Sequence, residues 1–182
     1  MALTLTPYGG LAGLLVVEGR DFPDERGTFM ESFRADEWAK AGLPPLIQDN
    51  LARSKRGVVR GLHFQKEPQP VGKLVRCVNG RIFDVAVDIR KDSPTFGKWT
   101  SIELDSSGNR AFWIPAGFAH GLCSLVDNTI VSYKVTDYWT LGVDGGVRWD
   151  DPAIGVRWPL PKSEVLVSPK DAVLPFLAEL GR

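Results

Sequence analysis

The stretch WIPAGFAHG, Trp113–Gly121, and the earlier stretch RGLHFQ, Arg60–Gln65, decide how this chain is interpreted. Together they contain both of its histidines, His63 and His120, each in an apolar, glycine-flanked segment typical of a strand. Because a surface histidine would be unusual in such a segment, we expect both to line one cavity. Histidine titrates near neutral pH, so proton transfer is the first hypothesis for this cavity. A metal bound by the histidines is the second.

Length and composition exclude several classes of protein. At 182 residues, the chain is expected to form a single domain, residues 1–182, with a substantial core. Its 22 Lys and Arg balance its 22 Asp and Glu, which argues against non-specific nucleic-acid binding. No apolar run approaches the roughly 20 residues of a membrane span, and the first residues lack the pattern of a signal peptide. We therefore expect a cytoplasmic protein without a nucleic-acid or membrane partner.

The two cysteines, Cys77 and Cys123, lie in separate apolar runs without the paired spacing of a metal or redox motif. They are predicted to be reduced core residues, as is typical of a cytosolic protein. A disulfide between them is the alternative.

Short runs rich in Val, Ile, Phe and Trp recur along the chain between Gly, Pro, Asn and Asp, a pattern typical of strands. Examples of these predicted strands are Gly57–Gln65, Gly72–Val78, Ile82–Ile89, Lys98–Leu104, Ala111–Pro115, His120–Val126 and Asn128–Thr136. The pair Asn79-Gly80 lies between two of them and predicts a two-residue hairpin, while Asp127-Asn128 predicts another tight turn. Many antiparallel strands in one domain indicate a β-sandwich or barrel.

Helix signals are few. The segment Ala35–Ala41 is a short candidate that a glycine and two prolines would end. The pair Ser168-Pro169 predicts the start of another short helix, because a capping residue is followed by proline in the first turn. Lys170 and Asp171 would then lie in that first turn. The chain is therefore predicted to be mainly β with a few short helices.

The surroundings of His63 leave two interpretations open. It is either a buried histidine hydrogen-bonded to a carbonyl or a functional group in a cavity. Strand alternation would put His63 and Arg60 on opposite faces, unless a bulge at Gly61 turns both inward.

Arg60 also belongs to a basic cluster whose other members are Arg53, Lys55 and Arg56. This cluster is either a solvated charge run or a phosphate site, since arginine suits bidentate phosphate contact.

His120 follows Pro115 and Gly117 in a PxGxxH spacing. This spacing resembles the second metal motif of the cupins, which are double-stranded β-helix barrels. Metal-binding cupins also have an HxH pair and a glutamate in their first motif, but here the residue two positions after His63 is Gln65. The resemblance implies a cupin-like jelly-roll barrel. Two histidines without an obvious carboxylate partner predict no bound metal.

Two further residues stand out by the strand face on which they lie. Tyr133 alternates with Val131 and Val135, so it is either a core tyrosine or a cavity residue. Lys73 alternates with apolar residues, an unusual position for a solvated lysine, and a lysine that faces a cavity can stabilise an oxyanion. The chain contains no P-loop and no GxGxxG motif, so nothing in it supports a reaction driven by ATP or NAD.

Several long segments together resemble one family. They are RGLHFQ, GKLVRCVNGRIFDVAVDIRKDSPTFGKW, WIPAGFAHG, SYKVTDYW, SPKDA, DERGTFMESF and the QDN of Gln48–Asn50. The similarity is to dTDP-4-dehydrorhamnose 3,5-epimerase, a family of isomerases in dTDP-rhamnose biosynthesis, and it spans about Asp24 to Asp171. It implies epimerisation, without a cofactor, at carbons 3 and 5 of dTDP-4-dehydro-6-deoxy-D-glucose. The product would be dTDP-4-dehydro-L-rhamnose.

The resemblance also implies roles for the catalytic residues. His63 would be the base that removes a proton, oriented and supported by Asp171. Tyr133 would be the acid on the opposite face of the sugar. Lys73 would stabilise the enolate oxygen, with His120 nearby.

The substrate-binding positions follow from the same resemblance. Arg60 would hold the diphosphate, and Tyr138 would stack on the thymine. The remaining substrate contacts would be Arg26, Glu31, Gln48, Asn50, His120, Asp144 and Lys170. Some of these are expected to reach a partner's site across a homodimer interface.

The loop after Tyr138 departs from the family pattern. The usual sequence is close to YYSPxxEG, whereas this chain has YWTLGVDG, without the proline and with Asp144 in place of glutamate. Close relatives epimerise only carbon 3 or only carbon 5, so a mono-epimerase is the first alternative. A metal-dependent cupin, or a cupin that only binds a sugar nucleotide, is the second.

Overall fold

The structure is a computed structural model that describes residues 3–180. Its strands, in chain order, are β1 (Thr4–Pro7), β2 (Leu15–Glu18), β3 (Asp21–Asp24), β4 (Gly27–Met30), β5 (Gln48–Ser54), β6 (Val59–Gln65), β7 (Lys73–Asn79), β8 (Arg81–Asp88), β9 (Trp99–Asp105), β10 (Arg110–Ile114), β11 (Phe118–Ser124), β12 (Thr129–Val135) and β13 (Asp144–Gly146). The helices are α1 (Ala35–Lys40), α2 (Pro169–Ala172) and the 3₁₀ turns Lys162–Glu164 and Leu177–Glu179. The prediction of a mainly β chain with short helices is confirmed.

Two large antiparallel sheets face each other. One has the strand order β1-β2-β10-β7-β12-β5, and the other has the order β13-β6-β11-β8-β9. Side chains from both sheets meet in a central core, for example Val75 and Phe112 from the first sheet and Ile82, Leu104 and Leu122 from the second. Packing of two antiparallel sheets over one core is the architecture of a jelly roll. The predicted cupin-like barrel is confirmed.

The connection at Asn79-Gly80 differs from the predicted hairpin. The strand before it, β7, pairs with β10 and β12, whereas the strand after it, β8, pairs with β9 and β11 in the other sheet. Gly80 has a φ of 84°, but Asn79 keeps a negative φ, so the two positive φ values of the predicted turn are not both present. The pair leads the chain from one sheet to the other. The hairpin prediction was wrong because turn chemistry alone does not determine which sheet the next strand joins.

The turn at Asp127-Asn128 is confirmed, with Asn128 at a φ of 55°. It likewise connects the two sheets, because β11 before it and β12 after it belong to different ones.

The predicted core cysteines, Cys77 on β7 and Cys123 on β11, are both buried and free. The alternative of a disulfide between them is therefore wrong.

The two outer faces of the barrel are covered by helices and loops. On the six-stranded sheet, Trp38 of α1 meets Trp113 edge-on, with ring centroids 5.1 Å apart. On the five-stranded sheet, the segment after β13 packs Val147, Ile154 and Leu177 on the strands. Within residues 3–180, no helix is both long and apolar enough to cross a membrane.

The short helix α2 lies against β6 and begins as predicted. Ser168 is its N-cap, and the Ser168 Oγ accepts a hydrogen bond from the Asp171 N–H at 3.0 Å. A helix of one turn gains little stability from its own hydrogen bonds, so this cap helps to define it. The cap thereby fixes Asp171 next to the barrel.

Candidate active site

A cavity of about 690 Å³ lies between the two sheets and contains most of the predicted site residues. This volume is typical of sites that bind small molecules. The predicted residues that line it are Gln48, Asn50, Arg60, His63, Lys73, His120, Tyr133, Asp144, Lys170 and Asp171. Three others, Arg26, Glu31 and Tyr138, do not line it. Both histidines of the chain therefore lie in one cavity, on two paired strands.

A β-bulge in β6 brings Arg60 and His63 to the same cavity. His63 is opposite His120 on β11, but Arg60 is opposite Leu122, so β6 contains one extra residue between them. Gly61 has a φ of 120° in this bulge, and a Cβ at that position would lie 2.6 Å from the backbone of β11. Only glycine fits such a close approach. Of the two arrangements that the sequence left open, the structure has the one with both side chains inward.

His63 is hydrogen-bonded to Asp171 of α2, with 2.7 Å between Nε2 and Oδ1. The Asp171 side chain is buried, whereas 40% of the His63 side chain is exposed. Burial alone would raise the pKa of Asp171, but hydrogen bonds from His63 and from the Gly61 N–H hold that pKa below its usual value. Because a carboxylate can only accept, Nε2 of His63 is the donor, and in a neutral imidazole the lone pair is then on Nδ1. A neutral imidazole oriented in this way can accept a proton.

His120 has a carboxylate partner that the sequence analysis missed. Its Nε2 lies 2.8 Å from Oδ1 of Asp84 on β8, and 9% and 0% of the two side chains are exposed. Burial lowers the pKa of His120, and the nearby Asp84 charge opposes this only in part, so the imidazole is neutral at pH 7. Asp84 alternates with Ile82 and Ala86 on the inner face of β8. The same alternation that singled out Lys73 could have found it.

Lys73 and Tyr133 lie on the neighbouring strands β7 and β12 of the facing sheet. The Lys73 Nζ donates to the backbone carbonyl of His63 at 3.1 Å. Burial lowers the pKa of Lys73 to about 8, although the charge of Asp84 favours the protonated form. Burial also raises the pKa of Tyr133, against the influence of Arg60, so its hydroxyl keeps a proton to donate. The cavity thus combines a proton acceptor, a proton donor and an ammonium group.

The more exposed part of the lining contains paired polar residues. The Gln48 Nε2 donates to the Asn50 Oδ1 at 2.9 Å. Lys170 forms an ion pair with Asp144, in which the hydrogen bond from Lys170 holds the pKa of Asp144 below its usual value. These pairs keep charged and amide groups at the edge of the cavity, where a polar ligand could contact them.

Arg60 is the member of the predicted basic cluster that lines the cavity. Its guanidinium is held by the Ser54 Oγ at 3.1 Å and by the Arg53 carbonyl at 3.3 Å. Arg56 instead forms an ion pair with Glu164 outside the cavity. The cluster is therefore not one site, and a phosphate in the cavity would meet Arg60.

The three predicted residues outside the cavity lie on two exposed segments. Arg26 is at the turn between β3 and β4 with 85% of its side chain exposed, and Glu31 follows β4 directly. Tyr138 is 60% exposed, and its backbone carbonyl accepts a hydrogen bond from Gln65 at 3.2 Å. The adjacent Trp139 lines the cavity, although the sequence analysis did not single it out.

Fold and cavity together define a class: a cupin-type barrel whose site is equipped for proton transfer. Within residues 3–180, no three His, Cys, Asp or Glu side chains converge as a protein metal site would require. A family model described as dTDP-4-dehydrorhamnose 3,5-epimerase matches residues 9–179. The chain belongs to this family.

Relatives of known sequence and structure agree with this assignment. The chain is 49% identical over 173 residues to the dTDP-4-dehydrorhamnose 3,5-epimerase of Sinorhizobium fredii, covering 93% of this chain and 88% of the relative. It is 40% identical, with a TM-score of 0.92, to the crystal structure of dTDP-6-deoxy-D-glucose-3,5-epimerase from Legionella pneumophila in complex with dTDP-4-keto-L-rhamnose, covering 98% of this chain and 94% of that one. A Streptomyces niveus relative named dTDP-4-dehydrorhamnose 3-epimerase is 37% identical over 172 residues, covering 93% and 82%. The predicted isomerase family and barrel fold are confirmed.

Proposed function

We propose that this protein epimerises carbons 3 and 5 of dTDP-4-dehydro-6-deoxy-D-glucose to give dTDP-4-dehydro-L-rhamnose, in dTDP-rhamnose biosynthesis. The main support is the position of His63, with its partner Asp171, and Tyr133 in one cavity on opposite sheets. Inversion at a carbon needs a base on one face and an acid on the other, which two facing sheets can provide. The relatives that are named 3,5-epimerases support the same conclusion.

The proposed mechanism uses the ketone that the substrate already contains. The ketone at carbon 4 makes the hydrogens on carbons 3 and 5 acidic, and His63 removes one of these protons. The C–H electron pair then forms the enolate double bond and places negative charge on the former carbonyl oxygen, which Lys73 stabilises. Tyr133 donates a proton to the opposite face, and the configuration is inverted. Exchange with water restores both side chains, so no electron acceptor is consumed.

The remaining polar residues are assigned to substrate binding. Arg60 would contact the diphosphate, since it is the basic residue of the cluster in the cavity. Tyr138 would stack on the thymine, and its exposed position beside the cavity leaves its ring free to do so. Contacts to the sugar and nucleotide would come from Gln48, Asn50, His120, Asp144 and Lys170.

We further propose that the protein is a homodimer in which Arg26 and Glu31 reach the partner's site. The strands β3 and β4 form a two-stranded sheet separate from the barrel, and such a ribbon is only marginally stable alone. Phe22 and Phe29 on this ribbon are 39% and 71% exposed, which favours burial against another subunit. Light scattering at micromolar concentration would show a dimer, and Phe29→Ser should weaken it. A wild-type monomer would contradict the proposal.

The cellular setting is also a proposal. Two free cysteines, both buried, are typical of proteins from a reducing compartment, which supports a cytoplasmic location.

One central core shared by both sheets supports a single domain over residues 1–182. Unfolding that follows one transition by both circular dichroism and tryptophan fluorescence would agree with this, and two transitions would not.

The experiment that tests the activity is incubation with dTDP-4-dehydro-6-deoxy-D-glucose in D₂O, with deuterium at carbons 3 and 5 followed by NMR. Exchange and inversion at both carbons are expected. Exchange at one carbon would identify a mono-epimerase, and no exchange would exclude both activities. Elemental analysis and assays with EDTA test the metal-dependent alternative, since stoichiometric metal or lost activity would favour it.

A further inference from the structure

Asp84 is a buried carboxylate bonded to the cavity-lining His120, and the mechanism above does not use it. Its side chain is 0% exposed, and its Oδ1 is bonded to His120. Its Oδ2 is buried without a hydrogen-bond partner among residues 3–180. An unpaired oxygen on a buried carboxylate destabilises a folded protein. A residue that a fold retains at such a cost is a candidate for function.

Another carboxylate on the same strand shows what a purely structural role looks like. Asp88 on β8 is also fully buried, but both of its oxygens are paired. It accepts hydrogen bonds from the side chains of Arg90, Ser93 and Thr95, which hold the loop after β8 in place. Asp84 organises no loop of this kind and faces the inner side of the barrel.

The charged and titratable groups around Lys73 come from four strands. They are His63 on β6, Asp84 on β8, His120 on β11 and Tyr133 on β12. Among these, His63 accepts the Lys73 hydrogen bond through its backbone only, and burial keeps His120 neutral and the Tyr133 hydroxyl protonated. Asp84 is the group whose negative charge favours the ammonium form of Lys73.

We propose that Asp84 is a positioning residue that acts through two neighbours. Its Oδ1 fixes His120 as the tautomer with hydrogen on Nε2. Its negative charge acts on Lys73, whose Nζ is hydrogen-bonded to the backbone carbonyl of His63, the residue opposite His120. The inference rests on the proposed function only for the role of Lys73. The orientation of His120 stands on the hydrogen bond alone.

The first test observes the imidazoles directly by NMR of protein labelled with ¹⁵N-histidine. Because the chain has only two histidines, the spectrum has two imidazole spin systems. Asp84→Asn should move the Nε2–H proton of one histidine upfield, since a neutral amide is a weaker acceptor than a carboxylate. Asp171→Asn should move the Nε2–H proton of the other histidine upfield. Asp88→Asn should change the signal of neither histidine. If Asp84→Asn leaves both imidazoles unchanged, the proposal is wrong.

The second test is the pH dependence of kcat. With the wild type, kcat should fall above pH about 8 as Lys73 loses its proton. Asp84→Asn should move this alkaline limb to lower pH by about one unit, a loss of about fivefold at pH 8 that approaches tenfold at higher pH and shrinks at lower pH. Asp84→Glu keeps the charge and should restore most of the limb while it still disturbs His120. Asp88→Asn should lower the melting temperature without moving the limb.

The outcomes of these two tests distinguish a failure of the proposed epimerase function from a failure of the proposed role of Asp84. An inactive wild type would contradict the proposed function, and the imidazole spectra would still decide whether Asp84 orients His120. An active wild type whose alkaline limb is the same in Asp84→Asn would show that Asp84 does not support the charge on Lys73. Should Asp84→Asn fail to fold, Asp84→Glu and the ¹⁵N spectra provide the comparison.

Discussion

The two histidine–carboxylate pairs are nearly equal in geometry and very different in surroundings. The hydrogen bonds are 2.7 Å for His63 with Asp171 and 2.8 Å for His120 with Asp84. However, 40% of the His63 side chain is exposed against 9% of His120. An imidazole that exchanges protons with substrate and water needs access, whereas a buried one is held in a single protonation state. A hydrogen bond to a carboxylate does not by itself make a histidine a base, and the greater exposure of His63 is the reason for assigning the proposed role of base to that pair.

Removal of each imidazole in turn tests which histidine is the base. His63→Ala should abolish deuterium exchange and product formation, a loss of about 10²–10⁴ in kcat, because a positioned general base contributes that much. Isothermal titration with dTDP should still show binding. His120→Ala is the matched variant, and it should keep measurable exchange. Equal losses in the two variants would show that the exposed histidine has no role that the buried one lacks.

Asp171→Asn tests the carboxylate partner of His63, with an expected loss of about 10² in kcat because His63 would no longer be held in the required tautomer.

The pH dependence of the free energy of unfolding should change in the same variant. The pKa of Asp171 is lower in the folded protein than its usual value, so its ionised form stabilises the fold above that usual pKa. This contribution is lost as the pH falls through the folded-state pKa. Urea denaturation from about pH 5 down to about pH 2 should therefore show a flatter pH dependence for the variant, and an unchanged slope would contradict this assignment.

Tyr133→Phe extends the comparison to the facing sheet. Without the hydroxyl, His63 can still remove a proton and return it to the same face, so deuterium exchange should persist. Inversion should fall by about tenfold or more, since the acid on the opposite face is gone. NMR in D₂O measures both quantities in one sample. Near-normal product formation would instead make Tyr133 a core residue, with bound water as the next candidate for the acid.

A weaker effect is expected from the cap that holds Asp171. Ser168→Ala removes the Oγ that accepts the Asp171 N–H, at a cost of about 1 kcal/mol in the free energy of unfolding. A loss in kcat of a few-fold is expected, because the His63 pair depends on α2 and the His120 pair does not. Ser163→Ala is the control for chemical denaturation, because Ser163 is exposed and lies inside the 3₁₀ turn Lys162–Glu164, whose N-cap is Pro161. Equal stability of the two variants would show that the cap is not required.

The strands could be predicted because apolar periodicity and turn residues are local properties of a sequence. The sheet that each strand joins could not be predicted, as the Asn79-Gly80 connection shows. That pair is compatible with a hairpin, yet the chain crosses to the other sheet there, because both flanking strands bury side chains in the same core. The partner of a strand depends on residues far away in the chain, and turn chemistry does not contain that information.

The site was predicted mainly from its resemblance to a family, and the residues alone left several choices open. The face of Arg60 depended on the bulge at Gly61, and a bulge is defined by the register of the opposite strand. Asp84 was missed although it lies on the apolar face of a strand, the signal that had identified Lys73. Trp139 was missed because loop residues follow no periodicity that would place them in a cavity.

The order in which the site is completed during synthesis follows from where Asp171 lies in the chain. It is 108 residues after His63, its hydrogen-bond partner. At a translation rate of roughly 5–20 residues per second, His63 waits about 5 to 20 s on the ribosome before its carboxylate is made. The strands of both sheets precede α2 in the chain, so the barrel walls can assemble first. The proposed base is therefore complete only after every strand of the barrel has been made, and a chain that stops short of α2 would lack the partner of His63.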